Sequence, residues 1–144
     1  MKLKLTAETI QPYLDNIRDW HCNVPFFWDM LSAEDIAGAY NGVGSDLTPL
    51  YIRKGLTLIY GFAIEAVIIH DVIFQFKKLY HLTVEYFYKA NENLKINSRI
   101  CLSHKYSKWN QPYYIWCYKN AWAAEEACNY FGLDAWTTNS IGED

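Results

Sequence analysis

A base and an acid stand side by side at His70-Asp71, inside the most apolar stretch of the chain, Leu56 to Phe74. Burying two ionisable groups is costly unless a partner, a metal or a substrate uses them. The pair is therefore the first candidate for chemistry. Upstream lies Tyr40-Asn-Gly-Val-Gly44, a short segment whose two glycines can bring backbone carbonyls close to an ion or ligand. Neighbouring helical residues point about 100° apart, so His70 and Asp71 would address different points of one cleft. In such a cleft Asp71 and the carbonyls of the loop Asn41-Gly-Val-Gly44 could hold a hard cation. His70 would then deprotonate a water for attack on a polarised ester carbonyl. The alternative is a buried tie, with Asp71 capping a helix or accepting from a Tyr or Trp, and His70 donating to a carbonyl.

The elements that must position this pair read as helices throughout. Thr6 caps a helix running to about Trp20, with Ile10, Tyr13, Leu14 and Ile17 on one stripe and Pro12 as a candidate kink. Pro25 biases the following segment, 21–28, toward extended or irregular backbone. Ser32-Ala-Glu-Asp35 is a capping arrangement for a short helix ending near Tyr40, and Thr48-Pro49 starts another short turn of helix. A long helix from about 56 to 79 is apolar on nearly all sides in its first half, so it is the expected centre of the domain. Two further long helices are expected to pack on it, about 80–101 and 113–131, the last opened by Gln111-Pro112 and stopped by Gly132. The segment 102–110 is polar and basic, and the tail 133–144 is expected to be loosely ordered. No run with strand period appears, so the expected fold is a single all-α domain over 1–144.

The Asn-Gly-x-Gly segment, followed by a hydrophobic helix carrying His70-Asp71 and an aromatic, Phe74, three residues after the acid, resembles the calcium-loop and catalytic-helix signature of phospholipase A2. The likeness is closest to its small prokaryotic and phage-borne members and covers Tyr40 to Phe74. It implies His70 as general base, Asp71 as calcium ligand, the backbone of Gly42 and Gly44 as the rest of the ion site, and a lipid ester as substrate. It also implies an acid on a neighbouring helix that orients the histidine. No Asp stands on the next helix, where Glu85, Asn91, Glu92, Asn93 and Asn97 could take that role.

A looser resemblance, over about Ala39 to Asn97, is to uncharacterised proteins of phage and prophage origin. In these, Ala-Tyr-Asn-Gly-x-Gly precedes a His-Asp helix and then an Ala-Asn and a later Asn, here Ala90-Asn91 and Asn97. It names a family and not an activity; a non-catalytic virion or assembly component, partnered by phage structural proteins and using the pair only to hold the loop, is the reading preferred over the hydrolase. A third pattern resembles the metal-dependent phosphohydrolases with a His…His-Asp…Asp set, which would recruit His21 before the pair and Asp134 after it.

Composition limits the remaining classes. At 144 residues the chain is the size of one domain and can bury roughly 70% of its unfolded surface. Its twelve Tyr, seven Phe and six Trp suit a core with wet edges, or a surface that meets a partner or a lipid interface. A net charge of −3 with dispersed basic residues argues against nucleic-acid binding. The apolar run is broken by Glu65 and the His-Asp pair, which argues against a transmembrane span. The start Met1 to Thr6 does not lead into a signal core, and Cys22, Cys101, Cys117 and Cys128 form no Cys-x-x-Cys pair. Free buried thiols in a cytoplasmic or virion-associated protein are expected. Cys22 adjoins His21, but the sequence sets no partner beside it. Glu65 is expected to pair with a base such as Lys54, His81 and His104 to lie on the surface, and the aromatics of 112–118 with Trp122 to pack in the core.

Overall fold

The computed structural model describes residues 4–42, 62–106, 111–131 and 133–138. Helix α1, Ala7–Asp19, begins at Thr6, whose hydroxyl accepts the Thr9 amide while the Thr9 hydroxyl accepts the Thr6 amide. That reciprocal pair satisfies amides which have no partner inside the helix. Pro12 lies within α1 without interrupting it. Helix α2, Ala33–Gly42, is opened by the same device, Ser32 Oγ with the Asp35 amide and an Asp35 oxygen with the Ser32 amide, each at 3.1 Å.

The apolar stretch forms helix α3, Ile64–Phe76, in which every residue except Ile64 and His70 is buried. Residues 56–61 of the expected helix, and the expected turn of helix after Thr48-Pro49, lie outside the described residues. Helix α4 spans Val84–Lys105 and helix α5 Gln111–Phe131; α5 packs along α4, and α4 along α3. Helix α2 lies on α3, and α1 rests on both. The described elements are all helical, so the all-α class holds.

The same backbone device ends α1 and α3. His21 and His81 both have φ 54°, and the following amides, of Cys22 and Leu82, reach back to the carbonyls of Ile17 and Lys77 at 3.1 and 2.7 Å. These are Schellman-type closures with histidine at the left-handed position, one of the few non-glycine types that occurs there. The turn between the two central helices thus falls at 77–82. Helix α4 runs past the expected end at Cys101 because Leu102 is itself buried in the core.

Two expectations are corrected. Residues 133–138 are not a loose tail: Leu133–Thr138 forms helix α6, held by Trp136, which sits edge-on to Phe74 and Phe87 at ring centroids of 5.2 and 5.7 Å. The aromatics of α5 are not all core residues either. Its buried side carries small side chains, Cys117, Ala121 and Ala124, which let α5 approach its neighbours closely; Ile115, Trp116, Tyr118 and Trp122 face outward, each about half exposed.

Candidate functional site

His70 and Asp71 project from α3 into a polar knot. The carboxylate of Asp71 is sealed, with 5% of its side chain exposed, and His70 keeps 11%. His70 Nε2 lies 2.7 Å from Oδ1 of Asn91 on α4, and Asn91 Nδ2 donates to Oδ1 of Asn129 on α5 at 2.9 Å. Because the Asn91 amide spends its N–H on Asn129, its oxygen is the atom turned to the imidazole. Nε2 therefore carries the proton it donates, and on a neutral ring Nδ1 is the unprotonated nitrogen. That nitrogen is 3.8 Å from an Asp71 oxygen, beyond hydrogen-bond range. Phe74, one turn on, covers the ring at 4.5 Å between centroids.

Of the five residues considered as an orienting partner, Asn91 is the one that reaches His70. Asn97 is committed elsewhere: its amide binds both the N–H and the carbonyl of Asn23, at 2.7 and 2.8 Å. Asn129 was missed. No periodic signal marks it, because its role depends on how α5 is placed against α4.

The charge of Asp71 is felt by two further side chains. Burial first, then Asp71 and Tyr13, push the phenol of Tyr40 on α2 up to about 12. Burial first, then Asp71, pushes the Cys128 thiol on α5 up to about 12. Both effects combine the same two causes: burial disfavours the charged form, and a second negative charge near the Asp71 carboxylate adds to that.

The expected glycine loop differs at its start. Asn41 and Gly42 are the last residues of α2, not loop residues, because the Asn41 side chain clasps Leu5, accepting its N–H at 2.9 Å and donating to its carbonyl at 2.7 Å. Gly42 faces α3 next to Gln75, one turn beyond Asp71; a Cβ there would come within 3.3 Å of the Gln75 amide oxygen. Gly44 lies outside the described residues. Of the set considered for calcium, Asp71 and Gly42 are thus on facing helices.

Glu65, in the first turn of α3, is fully buried; the expected partner Lys54 lies outside the described residues. Its carboxylate accepts from Lys105 Nζ at 2.6 Å and from Asn16 Nδ2 at 3.0 Å, joining α1, α3 and α4. Glu65, on a mostly apolar helix, is thus a three-helix tie. His21 has its backbone role at the end of α1, and among the described residues no three His, Cys, Asp or Glu side chains converge as a metal-binding group. His81 and His104 are exposed as expected, His104 stacking on Trp20 at 4.9 Å. Among the described residues no helix is long and apolar enough to cross a membrane.

Set against known protein families, curated proteins and solved structures, this chain matches none.

Proposed function

We propose that this chain is a small helical structural component of a virion or of its assembly, of phage or prophage type, in which the His-Asp helix serves as scaffold. The observation that carries this reading is the use made of His70. Its Nε2–H is committed to Asn91, and through Asn91 to Asn129, so the imidazole ties three helices together. Glu65 is committed in the same way to Lys105 and Asn16. Ionisable groups on a buried helix that are each matched by a neighbouring helix specify packing, which is what a scaffold needs. The outward aromatics of α5 offer a surface to other structural chains.

The second reading is the calcium-assisted ester hydrolase, and one observation favours it. With Nε2 held by an amide oxygen, the neutral ring has its lone pair on Nδ1, the form a general base requires, and the orienting residue is supplied by a neighbouring helix. Asp71 with the backbone of Gly42 and Gly44 would hold the ion, whose chemistry would be to polarise the ester carbonyl.

One experiment separates the two. The full chain is titrated with calcium by calorimetry and incubated with phosphatidylcholine vesicles with and without the ion, beside His70→Ala. A scaffold gives no calcium-dependent heat, no fatty-acid release, and a lower melting temperature for the variant. Calcium-dependent release that His70→Ala abolishes while circular dichroism stays unchanged overturns it in favour of the hydrolase.

A further inference from the structure

The sequence set no partner beside Cys22; the fold supplies one. Cys22 follows the closure of α1 and Cys101 lies in the last two turns of α4, near enough that each thiol is the largest influence on the other's ionisation. The pairing follows from the backbone. Asn97 holds both polar groups of the Asn23 peptide, which fixes the residue after Cys22 on α4, and Cys101 is one turn further along the same face. Neither cysteine is in a disulfide.

In front of Cys22 opens a cavity of about 430 Å³, lined by Asp15, Arg18, His21, Cys22, Trp28 and Asp29 among others. Cys22 keeps 8% of its surface exposed, whereas Cys101 keeps none and does not line the cavity. The order from solvent inward is therefore cavity, Cys22, Cys101. The cavity wall carries both signs of charge: Arg18, which pairs at the exposed rim with Asp15 at 3.6 Å and Asp19 at 3.2 Å, and Asp29, a mixture that suits a small molecule bearing both carboxylate and ammonium groups.

We propose that Cys22 and Cys101 form a thiol–disulfide exchange site, with Cys22 the nucleophile toward a small charged disulfide entering the cavity and Cys101 the resolving thiol. The Cys22 thiolate attacks one sulfur of the disulfide RSSR; a Cys22–SR bond forms, the S–S bond of RSSR breaks, and RS⁻ leaves into the cavity. Cys101 then gives up its proton and attacks the Cys22 sulfur from behind, releasing the second RS⁻ and closing a Cys22–Cys101 disulfide. The two protein thiols are oxidised, one RSSR is reduced, and the two protons lost by the cysteines end on two RSH.

The electrostatics agree with this division of roles. The neighbouring Cys101 thiol lowers the Cys22 thiol below its ordinary value against opposing burial and the charge of Glu65, with Lys105 assisting. The neighbouring Cys22, then burial, raises Cys101. The outer thiol is the readier thiolate and the inner one waits as a thiol.

The test uses the folded full chain and oxidised glutathione, with acid quenching, alkylation and peptide mapping by mass. The expected result is a Cys22–Cys101 disulfide with Cys117 and Cys128 still reduced, and modification of Cys22 roughly tenfold faster than of either. Cys101→Ser should stop at a mixed disulfide of glutathione on Cys22. Reaction of Cys117 or Cys128 as fast as Cys22, or a wild-type chain that forms no Cys22–Cys101 bond, overturns the proposal. The wild-type mapping decides even if a variant fails to fold.

Discussion

The Nε2 of His70 and the amide oxygen of Asn91 meet at 2.7 Å, on two helices whose pairing residues stand twenty-one positions apart in the chain. Asn91 is fully buried and passes the contact on to Asn129. One amide thus satisfies a ring on one side and a second amide on the other.

Truncating Asn91 should therefore strand two groups at once. Asn91→Ala is expected to cost about 1–3 kcal/mol, because His70 and Asn129 lose their partners where water has little access. Asn91→Asp should cost at least as much, since its carboxylate still accepts from His70 but is fully buried, no longer donates to Asn129 and adds a second negative charge near Asp71. Urea unfolding of the two variants checks the order, and equal stability of Asn91→Ala and wild type would contradict the tie.

The Glu65–Lys105 pair is asymmetric. Glu65 is fully buried, but the Lys105 side chain is 26% exposed and can turn to water when its partner is removed. Lys105→Met should thus be the more damaging change, roughly 3 kcal/mol, because it takes the cation away from a buried carboxylate and leaves it, among the described residues, with the neutral Asn16. Glu65→Gln keeps the shape and is expected to cost about 1–2 kcal/mol. Denaturant melts of both, compared with the double variant, test this ordering.

Tyr40 makes the folded chain sensitive to alkali. Its phenol is raised from 10.0 to about 12 by burial and by the charge of Asp71, so the folded state holds a proton that the unfolded chain has already lost. Stability contributed by that proton is whole below pH 10 and disappears as the pH climbs toward 12. Tyr40→Phe should flatten the fall of unfolding free energy across this window. Identical slopes for variant and wild type would refute the assignment.

Helix α6 should matter to stability out of proportion to its length. Trp136 is 6% exposed and packs on Phe74 and Phe87, the first of which also covers His70. Trp136→Ala is expected to cost about 3–5 kcal/mol by opening a cavity beside Phe74. Thermal melts and near-ultraviolet circular dichroism report the loss; an unchanged melting temperature would mean that α6 is ornamental to the core.

Much of the helical framework was legible along the chain, because its signals are local. Thr6 with Thr9 and Ser32 with Asp35 cap their helices from three residues away, and the apolar run at 64–76 could only be a central element. The last turn of α2 was not legible, since Asn41 continues the helix in order to hold Leu5, thirty-six positions earlier. Nor was the outward turn of the α5 aromatics, whose helical spacing fits a core face and a surface face equally well.

By itself the sequence determined that this protein is helical, that the helix around His70 and Asp71 is its core, and that those two groups had to be used by something. Which partner each buried polar group takes was decided only in three dimensions: Asn91 and then Asn129 for His70, Lys105 and Asn16 for Glu65, Cys101 for Cys22. The reason is range. Caps and apolar periods act within a turn or two of one helix, whereas each of these partnerships depends on the offset between helices far apart in the chain, which is set when side chains of the whole core find a common packing.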